Sequence, residues 1–166
     1  MSVTPDAPAP LRILPFTDDL AQAFHDINAE WIAGMYRLED TDRKVLANPR
    51  REIIDRGGDI LFVEVDGLCV VGACALQKTG EHAFELTKMG VLESARGAKA
   101  GEFLLEAVIA RAVELGADPL YLLSNKKSAA AIHLYEKLGF RHDAGIMADK
   151  GARYERCDVA MLYAPG

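Results

Sequence analysis

The sequence predicts a mixed α/β domain of the α+β type, in which a largely antiparallel sheet is flanked by helices. Three observations predict it. The chain has 166 residues, the length of one domain rather than two. Half of those residues are hydrophobic and 27% are charged, which supplies a core without disulfide or metal staples and excludes global disorder. The hydrophobic pattern reads β-α-α-β-β-β-α-β-α-β-β, with a three-strand meander ahead of the long helix rather than a simple βαβ winding.

The elements follow in order. Residues 1–10 hold Pro5, Pro8 and Pro10 among small residues and read as a flexible tail, leaving 11–166 for the domain. Leu11–Pro15 roughly alternates apolar and polar residues as a short strand does, and Asp18-Asp19 is expected to cap a helix running to about Trp31. A second helical stretch spans about Asp40 to Ile54 and buries Val45, Leu46, Ile53 and Ile54, with a bend or split expected at Asn48-Pro49. Ile60–Val65 and Cys69–Leu76 read as a hairpin turning at Asp66-Gly67, and Ala83–Val91 as the third strand. From Gly101 to Leu115 the apolar residues form the broad stripe of a core-facing helix, which Gly116 stops. A buried strand, Leu120–Leu123, precedes a helix capped by Ser128 and stopped by Gly139. Phe140–Met147 and Arg156–Tyr163 are predicted to close the chain as strands.

Composition also limits function. A net charge of −6 offers no general grip on nucleic acid or acidic lipid, so neither is an expected partner. No apolar run approaches the roughly 20 residues that span a bilayer, and the start lacks the pattern of a signal peptide. The cytoplasm is the expected compartment. Cys69, Cys74 and Cys157 show no Cys-x-x-Cys spacing and read as buried, reduced thiols in strands. The four histidines are scattered, and no metal is predicted.

Two segments carry chemistry. Val91 to Gly101 runs from a strand end through a Gly- and Ala-rich turn into a helix, a geometry in which small side chains let backbone N–H groups converge on an anion and the helix N-terminus adds positive charge. Arg96 and Lys99 add cationic donors. The plain alternative is a tight turn with two surface cations. The turn has neither the Gly-Lys-Ser/Thr ending of a nucleoside-triphosphate loop nor a full Gly-x-Gly-x-x-Gly. The second segment, Ser128 to Phe140, is a capped helix with Tyr135 on its apolar stripe and a glycine stop.

The turn, helix and strand followed by Ala131-Ile132-x-Leu134-Tyr135-x-x-x-Gly139-Phe140 resemble the GNAT superfamily of acyl-CoA-dependent N-acetyltransferases. The preceding meander and closing strands fit as well. Glu85–Met89 and Asn28–Ile32 look more narrowly like the acetyltransferase half of bacterial MarR–GNAT fusion proteins, with no DNA-binding half expected in this chain. The resemblance implies that Arg96, Gly97, Ala98, Lys99, Ala100 and Gly101 hold the pyrophosphate of acetyl-CoA and that backbone groups of Met89 and Val91 pair with its pantetheine arm. Two positions depart from the family pattern. Lys99 stands where glycine is usual, and Ser128 where asparagine is common, with Asn125 as a substitute contact.

By periodicity Tyr135 is a core aromatic, whereas the resemblance places the matching tyrosine near the thioester sulfur, as general acid to the departing thiolate. An acceptor amine must also lose a proton, since an alkyl ammonium like that of lysine has a pKa of about 10. Glu85 is the candidate base because a carboxylate inside an apolar strand needs a task or a partner, for which Lys88 or another cation is the alternative. His82 and His133 are further candidates. Substrate contacts are expected from Asn28, Glu30, Trp31 and Tyr36, and from Arg156, whose fork suits a carboxylate. The expected activity is acetyl transfer from acetyl-CoA to a primary amine of a small molecule. A non-catalytic acyl-CoA sensor, a protein lysine or N-terminal acetyltransferase, and a homodimer are left open.

Overall fold

A computed structural model of the chain describes residues 10–65 and 69–165. The tail expected at residues 1–10 falls, apart from Pro10, outside the described residues, as does the Asp66-Gly67 turn. Seven strands form one sheet: β1 (Leu11–Pro15), β2 (Asp59–Val65), β3 (Val70–Lys78), β4 (Phe84–Val91), β5 (Leu120–Ser124), β6 (Phe140–His142) and β7 (Val159–Tyr163). Their spatial order is β1-β2-β3-β4-β5-β7-β6. Every neighbouring pair is antiparallel except β4 and β5. The α+β architecture is the predicted one.

Helices cover both faces. On one side α1 (Ala21–Met35) and α2 (Asp40–Ala47) press Phe24, Ile27, Ile32, Val45 and Leu46 onto Ile60, Phe62, Ala73 and Ala75 of the sheet. On the other, α3 (Ala100–Glu114) and α4 (Ala129–Lys137) bury Leu104, Leu105, Val108, Ala112 and Tyr135 against Val63, Cys74, Leu76 and Leu86. Alternating residues of β2 therefore serve opposite cores, as the pleat requires.

The helical reading changes in two places and is met in a third. Asp18 and Asp19 cap nothing with their side chains: they form a 3-10 turn ahead of α1, which runs on to Met35 rather than stopping at Trp31. The second helix splits as expected at Asn48-Pro49. Proline has no N–H to continue the ladder, and one turn of π-helix, Arg50–Ile54, follows. The predicted strand Phe140–Met147 is only three residues long, because the Asp143 side chain accepts from the Ile146 N–H at 2.9 Å and starts a short helix, α5 (Ala144–Lys150). The cysteines also differ from expectation. Cys74 is buried in β3, but Cys69 is exposed and Cys157 half-buried, both outside strands. No helix among the described residues is long and apolar enough to cross a membrane.

Candidate active site

Strands β4 and β5 pair in parallel only over Phe84–Leu86 and Leu120–Leu122. Beyond Leu86 they part. Against β3, Ala73 faces Gly90 while Ala75 faces Thr87, so β4 carries one extra residue there, a bulge in which Lys88 takes a left-handed φ of 54°. The bulge turns β4 away from β5 and leaves its backbone without a strand partner on that side. A cleft of about 750 Å³ fills the gap.

One mouth of the cleft lies at the start of α3. The turn there is a 3-10 segment, Glu93–Ala98, whose Arg96, Gly97 and Ala98 side chains lie outside the described residues. Lys99 follows at φ 59° and ψ 22°, a left-handed conformation that glycine adopts at no steric cost, which gives a physical reason for the family's glycine at this position. Lys99 and Gly101 line the mouth, whereas Ala100 is fully buried and seats the helix. A Cβ built on Gly101 would lie 3.6 Å from Val91 and 3.7 Å from Met89, ordinary contacts beside the two residues expected to meet the pantetheine arm.

Tyr135 also lines the cleft, with its ring edge-on to Phe140 at 5.9 Å between centroids. The ring is 7% exposed and packs in the core, as the periodicity predicts, and the residue also lines the cleft. Burial pushes the phenol pKa up, so the group stays a neutral O–H donor. Ser128 does not cap α4. Its hydroxyl instead lies 2.8 Å from the Tyr36 hydroxyl, tying the start of α4 to the end of α1. Asn125 is occupied by protein, its Nδ2 donating to the Arg156 carbonyl at 2.6 Å and its Oδ1 accepting from the Lys127 N–H at 2.9 Å.

At the other mouth stand Trp31 and Met35 of α1 and Tyr36 just beyond its end, with Tyr154, Arg156 and Cys157 from the loop before β7. Trp31 packs on Gly90, where any Cβ would overlap the indole. Its Nε1 donates to Asn28 Oδ1 at 2.9 Å, and Asn28 Nδ2 donates to the Phe24 carbonyl at 3.0 Å. Asn28 is thus fully buried and positions Trp31 rather than facing the cleft. Glu30, expected at the substrate, is exposed and not part of the lining. Arg156 does line the cleft, but the carboxylate in its fork belongs to the protein: NH1 and NH2 donate to Asp42 at 2.7 and 2.8 Å, and NH1 also to Glu39 at 3.1 Å.

Glu85 is 1% exposed and sits beneath the cleft instead of lining it. The cation beside it is Arg153, whose Nε is 3.2 Å from Oε1, while Lys88 pairs with Asp42 at 3.1 Å. The Tyr154 hydroxyl links Glu85 to the cleft: it donates to Oε2 at 3.5 Å and accepts from Lys88 Nζ at 3.1 Å and Arg153 Nε at 3.2 Å. Oε1 makes no hydrogen bond among the described residues. Burial raises the Glu85 pKa, with Arg153 and Lys88 pulling the other way. His133 lines the cleft, and His82 is exposed and does not. Sequence reasoning did not find Asp42, Arg153 or Tyr154. Their one signal was the carboxylate inside an apolar strand, which demands partners without saying where in the chain they lie.

The sequence profile of the acetyltransferase (GNAT) family matches residues 19–140, most of the chain. The chain belongs to this family. It is 31% identical over 107 residues to the uncharacterized N-acetyltransferase YvbK of Bacillus subtilis, spanning 62% of this chain and 68% of that one. Solved structures share the fold at lower identity. A GNAT acetyltransferase from Staphylococcus aureus is 20% identical with a TM-score of 0.81, over 92% of this chain and 98% of that one. The acetyltransferase yncA of Salmonella typhimurium, solved with its cofactor acetyl-CoA, is 19% identical at 0.68, over 92% and 91%. A chimera of the spermidine N-acetyltransferase SpeG from Vibrio cholerae is 18% identical at 0.69, over 93% and 95%.

The donor of a GNAT acetyltransferase is acetyl-CoA, and the residues of this cleft fit it. The unpaired β4 backbone offers hydrogen bonds to an extended amide-bearing arm. Lys99 and the start of α3 supply positive charge where a pyrophosphate would end that arm. Tyr135 lines the same cleft, as do residues of α1 and of the closing loop.

Proposed function

We propose that this acetyltransferase moves an acetyl group from acetyl-CoA directly to the primary amine of a small molecule, in the cytoplasm. The observation that carries the reading is a single cleft whose lining takes in the start of α3, Tyr135, Trp31 and Tyr36 from α1 and its end, and Tyr154 and Arg156 from the closing loop. Lining from both α1 and the closing loop supports a small acceptor over a protein surface. Within the family, Glu85–Met89 and Asn28–Ile32 support kinship with the acetyltransferase half of MarR–GNAT fusion proteins.

The chain's own groups account for the protons. The acceptor's ammonium first gives up a proton, which passes to the Tyr154 hydroxyl as that group hands its own to Glu85. Burial of Glu85 raises its affinity for that proton, and Tyr154 brings this basicity into the cleft. The neutral nitrogen then forms its bond to the acetyl carbonyl carbon as the carbon–sulfur bond breaks, and the sulfur takes the Tyr135 hydroxyl proton. The second proton lost by nitrogen on becoming an amide restores Tyr135. Arg156, held by Asp42, keeps the closing loop against α2 and so keeps Tyr154 in place.

The test is to incubate the purified protein with acetyl-CoA and a panel of primary amines, following free thiol and the mass of the acetylated product. Stoichiometric thiol and product are expected. Tight acetyl-CoA binding with no turnover across the panel would overturn the reading in favour of a sensor.

A further inference from the structure

Beyond the reaction class, the acceptor mouth has a charge character of its own. Tyr36 and Tyr154 carry four cations between them. Lys127 Nζ and Arg156 Cζ each lie 5.6 Å from the Tyr36 ring centroid, and Arg156, Lys88 and Arg153 lie 4.7, 4.8 and 5.5 Å from that of Tyr154. Three of these, Lys88, Lys127 and Arg156, line the cleft. Among the described residues the one carboxylate in the lining is Glu102, which belongs to the other mouth and is paired with Lys137.

The balancing acids are held behind the wall and are already engaged. Asp42 is fully buried and answers Arg156 and Lys88, Glu39 also answers Arg156, and Glu85 answers Arg153. Lys127 has no carboxylate partner among the described residues. In a chain of net charge −6, this mouth presents the exposed Lys127 with no carboxylate opposite it among the described residues. A polyamine entering there would bring a second ammonium toward Lys127 with no carboxylate to receive it. An amine that carries its own anion would complete the set.

Resting on the acetyl-transfer reading, we propose that the acceptor is a primary amine bearing a small anionic group, an amino carboxylate or aminophosphonate, whose anion lies against Lys127 on the Tyr36 side of the cleft. The amine end then points toward Tyr154 and the thioester. Tyr36, fixed by Ser128, serves as the floor on which Lys127 rests.

The experiment compares matched pairs at saturating acetyl-CoA: glycine with methylamine, phenylalanine with phenethylamine, aminomethylphosphonate with methylamine, and spermidine alone. For at least one pair the anionic member should show kcat/KM about tenfold or more above its partner and above spermidine, a gap of roughly 1.4 kcal/mol. The carboxylate and phosphonate arms tell the two anions apart. Lys127→Ala should shrink that ratio chiefly through KM, Lys127→Arg should restore it, and Lys127→Glu should turn preference toward spermidine. Equal or better turnover of the uncharged and polyamine acceptors would overturn this proposal and leave acetyl transfer standing. Absence of turnover with every amine, together with no calorimetric binding of the anionic amines to CoA-loaded protein, would overturn both.

Discussion

At the scale of single residues, Tyr135 and Glu85 show burial doing opposite work on two acids. Burial raises both pKa values. For a phenol this preserves the donor form at neutral pH, while for a carboxyl it creates a proton acceptor of useful strength. Tyr135→Phe removes only the hydroxyl and keeps the ring against Phe140, so kcat should fall roughly 10²- to 10⁴-fold while the acetyl-CoA dissociation constant stays close to wild type. Turnover at the wild-type rate would leave Tyr135 as packing alone. Glu85 invites a paired measurement. A carboxyl whose folded pKa is raised contributes stability that is present below its unfolded pKa and is lost as pH rises through the folded value. Glu85→Gln mimics the protonated form at every pH, so the variant should melt at or above wild type at pH 8, converge with it in acid, and turn over more slowly. A variant that melts well below wild type at pH 8 would identify Glu85 as the charged, structural partner of Arg153.

At the scale of elements, the start of α3 separates binding from folding. Gly101 has a φ open to other residues and room for a Cβ against Val91 and Met89, so the backbone does not require glycine there. Gly101→Asp places a carboxylate in the first turn of a helix, where it is mildly favourable for folding, yet sets it in the cleft where a pyrophosphate would lie. Calorimetry should show CoA affinity falling at least tenfold while the melting temperature moves little. An unchanged dissociation constant in the folded variant would move the cofactor away from this turn. The α3 stripe, the β4 strand and the Ser128–Phe140 segment were legible because each depends on short-range periodicity or on a local motif. The α5 helix was not, since one Asp143 side chain decides between strand and helix. The acceptor mouth was hidden for a different reason. Arg156 reads as a free carboxylate fork until Asp42, 114 residues earlier, folds against it, and Tyr154 gains a role only from Glu85, 69 residues earlier.

At the scale of the whole molecule, Asp42 fastens three distant parts together: α2, the β4 bulge through Lys88, and the closing loop through Arg156. Burial alone would raise its pKa, but the Arg156 hydrogen bonds and the Lys88 charge outweigh burial and lower it from 3.8 to about 2. A depressed carboxyl contributes stability that is present above the unfolded pKa and is lost as pH falls through the folded one. This contribution therefore drains between about pH 5 and pH 2 and amounts to about 2 kcal/mol. Asp42→Asn should destabilise the protein at pH 7 by about 3 kcal/mol, because buried Lys88 loses its carboxylate partner and half-buried Arg156 is left with Glu39 alone. The loss should be largest at neutral pH and shrink as wild-type Asp42 itself becomes protonated. Urea unfolding of both proteins across pH 2 to 7 measures this directly, with the two stability curves expected to approach each other below pH 4. Parallel curves over the whole range would mean that Asp42 does not carry the linkage. Because the same clasp positions Tyr154, the Asp42→Asn enzyme should lose kcat even at temperatures where it remains folded.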